Sequence, residues 1–413
     1  MSLPRLRHNI FALGVVQAGN FLAPLLVLPY LARTLGAEAY GHMVWVQTIM
    51  LLGRVWVDFS FGWTTSREIS AHRDDRATIS RLFVDTWSLQ WVLGFVFVLL
   101  LLGWMAFNTD AIAIHYWAGL GLALAPAFFP LWLFQGLENL RAVAIIQLSG
   151  KLLVIPLAFL WVKDSRDLVW ALLFFSVSAV LPGIMSVAWI VQRNAVIWVR
   201  PDPAGMWLVF KNSIAVFLSR ATISVNSILV PLAVGWWGGA TQLAYFNLAD
   251  KFRTVVQSLL TTVSQALFPR MSWLAVNDPS GARALLKKAA LAMTGVSLVM
   301  GFVLSQWAQP LMLLMGGAEF HEGAAVLRWM AWLPLFVALS SLMGEQIMLP
   351  HGMSRPFSII YLMAFVLTVL LLQPMVHRFA ALGAALFLIL VELSVVLVMG
   401  IWLKNFWQKR GHS

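Results

Sequence analysis

Two runs of polar side chains carry most of the chemistry this sequence offers. In the first, Gln47, Arg54, Asp58 and Thr65 fall in one narrow sector at about 100° per residue, and Arg54 and Asp58 form an i, i+4 pair. In the second, Asn247, Asp250, Arg253, Gln257, Thr261 and Ser264 share a broader sector with Lys251 at its edge. Ser213, Arg220, Ser224, Ser227 and Pro231 make a further face, and Asn20 with Pro24 and nearby Gln17 another. Glu345 and Glu392 are lone carboxylates in apolar surroundings.

Guanidinium groups bind phosphate oxygens two at a time, so a site built on Arg54, Arg220, Lys251 and Arg253 suits an anionic cargo. Asn20, Asn247 and Gln257 would add amide contacts. Asp58 and Asp250 would hold those bases in place or carry a coupling proton, a role also open to Glu392. The plainer alternative is that Arg54–Asp58 and Asp250–Arg253 are self-satisfied pairs that hold helices together. His72, His115, His321, His351 and His377 lack ligand spacing, and the Arg73-Asp74-Asp75-Arg76 stretch reads as a solvated loop. Neither a metal site nor a cofactor is expected.

The elements that must position these groups are membrane helices. Of 413 residues 61% are hydrophobic and 11% charged, too apolar for a soluble core of this size. The apolar residues run in stretches of roughly 18 to 27, enough to cross a hydrocarbon layer of about 30 Å. The spacing predicts helices over 9–34, 38–63, 81–107, 111–135, 142–162, 168–192, 212–236, 241–268, 284–307, 327–350, 355–376 and 380–404. The first is too long for a signal-peptide core and lacks a cleavage site, so it is expected to stay as a membrane helix. Pro24, Pro29, Pro126, Pro130, Pro156 and Pro182 fall inside apolar runs, where they free carbonyls and allow bends. The chain has no cysteine, which excludes disulfides and thiolate chemistry.

The net charge of +11 is dispersed in short clusters between apolar runs, which argues for topology and against nucleic acid. With the N-terminus in the cytoplasm, the inner segments collect Arg5, Arg7, Arg67, Arg73, Arg76, Arg81, Arg141, Arg193, Arg200, Arg270, Arg283, Lys287, Lys288, Arg355, Lys404, Lys409 and Arg410. Fewer basic residues fall on the other side, chiefly Arg33, Lys163, Arg166, Arg328 and Arg378. That asymmetry places both termini in the cytoplasm. Asn9 and Asn212, Gly36 and Gly239, Ala37 and Ala240, and Arg67 and Arg270 are all 203 positions apart. The expected architecture is all-α, with about twelve transmembrane helices in two six-helix bundles, 1–200 and 201–413, related by a parallel pseudo-two-fold repeat.

Several stretches resemble the bacterial O-antigen and exopolysaccharide-unit flippases, whose superfamily also holds cation-antiport multidrug exporters and lipid II flippases. They are Pro24-Leu-Leu-Val-Leu-Pro-Tyr-Leu-Ala-Arg-Thr-Leu-Gly-Ala-Glu-Ala-Tyr-Gly41, Asp58 with Phe61-Gly62 and Arg67-Glu68-Ile69-Ser70, Trp132-Leu-Phe-Gln-Gly-Leu-Glu138 with Arg141, Ala249-Asp250-Lys251, and Gln265-Ala-Leu-Phe-Pro-Arg270. The resemblance implies two six-helix bundles around a central cavity, set among the lipids of the bacterial inner membrane. It also implies alternating-access movement of undecaprenyl-pyrophosphate-linked oligosaccharides to the periplasmic leaflet. Coupling to H⁺ or Na⁺, and a polysaccharide polymerase and chain-length regulator as partners, come with the same resemblance. A multidrug exporter would favour acidic residues for cationic drugs. A membrane enzyme of polysaccharide assembly would be expected to carry an acidic metal-binding loop or a large external loop. The sequence shows neither pattern.

Overall fold

The computed structural model describes residues 3–107 and 113–411, with side chains from residue 27 onward except 140–142, 144, 151, 221–226, 407 and 409–411. Asn20, Gln17, Pro24, Arg5, Arg7, Arg141, Ser224, Lys409 and Arg410 therefore lie outside the described side chains, and residues 108–110, between the third and fourth expected helices, lie outside the described residues. Among the described residues the only regular structure is helical. The chain divides into two compact units, Met1–Leu229 and Val230–Ser413.

In the first unit α1 (Leu3–Asp58) is followed by α2 (Phe61–Ala71), α3 (Arg76–Phe107), α4 (Ala113–Phe128), α5 (Leu131–Gly136), α6 (Leu140–Trp161) and α7 (Leu168–Gln192). The long α8 (Pro203–Ala233) starts in this unit and runs on into the second. Then come α9 (Ala240–Asn277), α10 (Pro279–Gln306), α11 (Ala308–Gly316), α12 (Gly323–Met330), α13 (Leu333–Met343) and α14 (Ser354–Gly411). Two π-helical turns, Val234–Gly238 and Gly344–Met348, extend α8 and α13.

The breaks reflect local chemistry. α1 contains the expected break between the first two apolar runs, at Gly36 (φ 77°, ψ 171°). Gly239, 203 positions later, separates α8 from α9 with φ 87° and ψ 173°. Glycine enters that region without a Cβ clash. The break expected before the last run falls at Ala380, inside α14. The run expected to be helical over 38–63 is instead interrupted after Asp58, and that over 111–135 is interrupted between Phe128 and Leu131, beside Pro130. Between the expected helices 284–307 and 327–350, the chain holds α11 and a 3₁₀ turn, a short apolar helix that a span-length criterion passes over.

Among the described residues six helical segments are long and apolar enough to cross a membrane: Arg76–Phe107, Ala113–Gly136, Ser165–Gln192, Pro279–Gln306, Gly323–Met348 and Ser354–Phe406. α1, α8 and α9, which carry the polar runs, are not among them. In the first unit α1 packs on α4 and α6, α4 and α6 on α7, and α2 on α5. Its core joins Phe59, Phe61, Ile69, Phe83, Trp132, Leu133 and Phe134. In the second, α9 packs on α10, α12 and α13, and Val256, Leu260, Met293, Ala338 and Leu342 form a smaller core.

Candidate functional site

The first unit holds a cavity of about 520 Å³. Arg54 and Asp58 enter its wall from the end of α1, Arg220 from α8, and Gln90, Gln147 and Ser178 from α3, α6 and α7. Phe129, Trp132, Phe217, Pro126 and Pro182 supply apolar wall. Two of the sequence-derived cations, on different helices, thus line one space with a sequence-derived carboxylate.

Helix α1 ends at this wall for a backbone reason. Phe59 (φ 41°) and Ser60 (φ 62°) both adopt left-handed conformations, which cost an L-residue roughly 1–2 kcal/mol each. Packing offsets that cost: Phe59 is 1% exposed and stacks on Phe217 at 4.3 Å and on Phe210 at 4.9 Å. The turn lets the Ser60 amide donate to the Asp58 carboxylate, on which Arg54 and Arg220 both act electrostatically. Arg54 and Asp58 do not close into an ion pair.

Helix α2, whose Gly62 also lines the cavity, is fixed on two sides. Thr64 and Ser213 of α8 share a hydrogen bond of 2.7 Å. At the other end Ser70 donates to the Gly136 carbonyl at 3.1 Å, and Arg73 reaches Glu138 at 2.9 Å. Two of the stretches that carry the family resemblance, Arg67-Glu68-Ile69-Ser70 and Trp132 to Glu138, thereby pack as one clasp between α2 and α5. The hydrogen bond from Arg73 holds the Glu138 carboxyl below the usual range, aided by the attraction of the guanidinium charge. Asp75, in the loop read as solvated, caps α3: the Thr78 hydroxyl and amide and the Ala77 amide donate to it and lower its pKa.

In the second unit the polar run on α9 is arranged differently. Arg253 donates through Nε to Asp250 at 2.6 Å, and Thr254 bridges the same two groups. Asn247 is half-buried, Lys251 exposed, and the buried Gln257 Oε1 has no partner among the described residues. One to two turns further on, Ser264 and Ser341 both donate to Glu345, at 2.6 and 2.9 Å, and Gln346 donates to Ser264. Glu392 accepts from Ser340 at 3.1 Å. The π turn brings the adjacent Glu345 and Gln346 onto the same partner, Ser264.

Sequence reasoning missed Asp85 and Trp63. Asp85, on α3 and 3% exposed, accepts from the Asp202 amide at 2.9 Å at the start of α8. With Ser80, which accepts from the Ile197 amide, and Arg76, which donates to the Asn194 carbonyl, it ties the segment after α7 to α3. Asp202-Pro203 at a helix start was the available signal. Trp63 lies under the Arg220 guanidinium, 4.7 Å from ring centroid to Cζ.

Residues 6–275 match the family described as polysaccharide biosynthesis protein. A candidate O-antigen transporter of Escherichia coli (strain K12) is 29% identical, over 97% of each chain. One of Shigella dysenteriae is 28% identical, over 95% of this chain and 99% of its own. Among solved structures, the lipid II flippase MurJ in an inward closed conformation superposes with a TM-score of 0.72 at 14% identity, covering 94% of this chain and 87% of that one. An inward-facing multidrug resistance transporter of the MATE family gives 0.66 at 13% identity, covering 92% and 97%. At such identities these two matches speak for the fold.

Proposed function

The chain belongs to the polysaccharide biosynthesis protein family, and from that membership we propose that it is a flippase for lipid-linked oligosaccharide units of O-antigen or another surface polysaccharide. The cargo is an undecaprenyl-pyrophosphate-linked oligosaccharide, moved from the cytoplasmic to the periplasmic leaflet of the inner membrane by alternating access. The observation that carries this reading is the cavity of the first unit, where Arg54 and Arg220 meet. Pyrophosphate and sugars cannot enter hydrocarbon without their hydration being replaced. Two guanidinium groups replace it at the phosphates, and Gln90, Gln147 and Ser178 offer donors and acceptors to sugar hydroxyls, while the polyprenyl tail stays in lipid.

The architecture proposed with it is twelve transmembrane helices in two six-helix bundles, 1–200 and 201–413, with both termini cytoplasmic. The near-equal dihedral angles of Gly36 and Gly239, 203 residues apart, support the repeat. Arg253, Lys251, Asn247, Gln257 and Asn20 are the second set of cargo contacts. Asp58, Asp250 and Glu392 hold these bases or carry a coupling H⁺ or Na⁺. A polymerase and a chain-length regulator are the partners downstream.

The test is translocation in proteoliposomes of an undecaprenyl-pyrophosphate-linked oligosaccharide loaded in the inner leaflet, scored by its exposure to an external glycosidase, with and without a pH or Na⁺ gradient. Protein-dependent exposure of the sugar is expected, faster with one of the gradients. An unchanged protected fraction, with efflux of cationic drugs intact, would overturn the reading in favour of an exporter.

A further inference from the structure

Arg220 stands on a face of α8 that repeats at helical spacing: Phe210, Ser213, Phe217 and Arg220. The first three are docked on the Asp58–Thr64 segment, Phe210 and Phe217 against Phe59 and Ser213 against Thr64. The backbone beneath Arg220 is thus fixed, yet the side chain itself is long and exposed. Its tip meets Trp63, whose ring lies 4.7 Å from the guanidinium carbon. Trp63 is 62% exposed, so its indole contributes little to the core. It reaches this place because the left-handed Phe59–Ser60 turn ends α1 and starts α2 beside α8.

We propose that Trp63 is a positioning residue for anion recognition, holding the Arg220 guanidinium flat so that its N–H edge faces the phosphates of the cargo in the cavity. A planar cation stacked on an aromatic face loses rotational freedom while its in-plane donors stay available. A lysine ammonium would gain attraction from the same ring but has no edge to orient. This rests on the flippase reading and deepens it, since it assigns how that site orders its pyrophosphate end.

The test uses the full chain in detergent and in proteoliposomes, with inorganic pyrophosphate as the binding probe and the lipid-linked oligosaccharide as the transported one. Trp63→Leu is expected to weaken pyrophosphate binding roughly tenfold and raise the half-saturating cargo concentration, with the maximal rate little changed. Trp63→Phe, which keeps a ring face, is expected to recover most of that loss, and both variants should melt with the wild type. In an Arg220→Lys background Trp63→Leu should add almost nothing. Wild-type binding by Trp63→Leu, or a full additional loss in the Arg220→Lys background, overturns the assignment and leaves the flippase reading intact. A wild-type protein that neither binds pyrophosphate nor moves the cargo overturns both.

Discussion

Arg253 closes on Asp250 at 2.6 Å within one turn of α9, whereas Arg54 and Asp58, spaced just as locally at the end of α1, stay apart around an open cavity. The acid precedes its arginine in the first pair and follows it in the second, where Arg220 also acts on the carboxylate. The helix continues past Asp250, so an arginine three residues on lies alongside it. After Asp58 the chain turns left-handed, and the Ser60 amide takes up part of the carboxylate's capacity.

A double-mutant cycle at Asp250 and Arg253 should therefore show coupling of about 0.5 kcal/mol in thermal unfolding, the scale of a partly exposed pair. At Arg54 and Asp58 the same cycle should show less coupling in stability and more in transport. Equal coupling in stability at both pairs would contradict the distinction.

Arg220→Ala should abolish transport while inserting and melting normally, because its side chain is exposed to the cavity and its neighbours Phe217 and Ser213 hold the helix in place. Arg54→Ala should lower transport by at least about tenfold, the loss of one charge-assisted contact to phosphate. Full transport by the Arg220→Ala variant would remove the cavity from the cargo pathway.

The all-helical character was legible because the apolar runs are long, and the breaks at Gly36 and Ala380 fall between runs that the sequence already separated. The convergence of Arg54, Asp58 and Arg220 was foreseeable only as shared polar faces, since a face says what a helix turns inward and not which helix it meets. Trp63 was not visible at all. A tryptophan in an apolar chain reads as lipid-facing or interfacial, and its pairing with a residue 157 positions away depends on the Phe59–Ser60 turn, which no glycine announces.

Asp85 and Gly205 approach closely at the start of α8. A Cβ on Gly205 would run into the Asp85 carboxylate, and the Asp202 amide donates to that same group. Asp85→Ala should cost about 1 kcal/mol, the ordinary worth of one hydrogen bond. Gly205→Ala alone should lower the melting temperature clearly, whereas adding it to Asp85→Ala should cost little more, because the obstructing carboxylate is gone. Additive losses would mean that the contact is relieved some other way.

Three exposed carboxylates make a prediction in pH. Asp75, Glu138 and Asp278 are all held below the usual carboxylate range, Asp75 first by the Thr78 hydroxyl, Glu138 by Arg73 and Asp278 by the Ser280 hydroxyl. A depressed folded pKa gives stability that is present above the unfolded value of about 4 and is lost as pH falls through the folded value. The melting temperature should thus be insensitive to these groups from neutrality down to about pH 5 and fall below about pH 4. Asp75→Asn with Glu138→Gln should flatten that acid limb, and an unchanged limb would place the acid sensitivity elsewhere.

The last prediction separates cargo binding from energy coupling. Glu345 accepts from Ser264 and Ser341, and Glu392 accepts from Ser340, so each acid has hydroxyl donors and no cation within ion-pair distance among the described residues. A carboxylic acid and its amide are nearly isosteric, so Glu392→Gln should fold and bind inorganic pyrophosphate as the wild type does. If Glu392 carries the coupling proton, this variant should retain downhill movement of the cargo but lose its acceleration by a pH gradient. Ser340→Ala, which removes the donor and keeps the acid, should shift the pH at which the gradient acts without abolishing the response. A Glu392→Gln variant that still responds fully to the gradient would remove Glu392 from the coupling path and leave Asp58 and Asp250 to be tested in the same way.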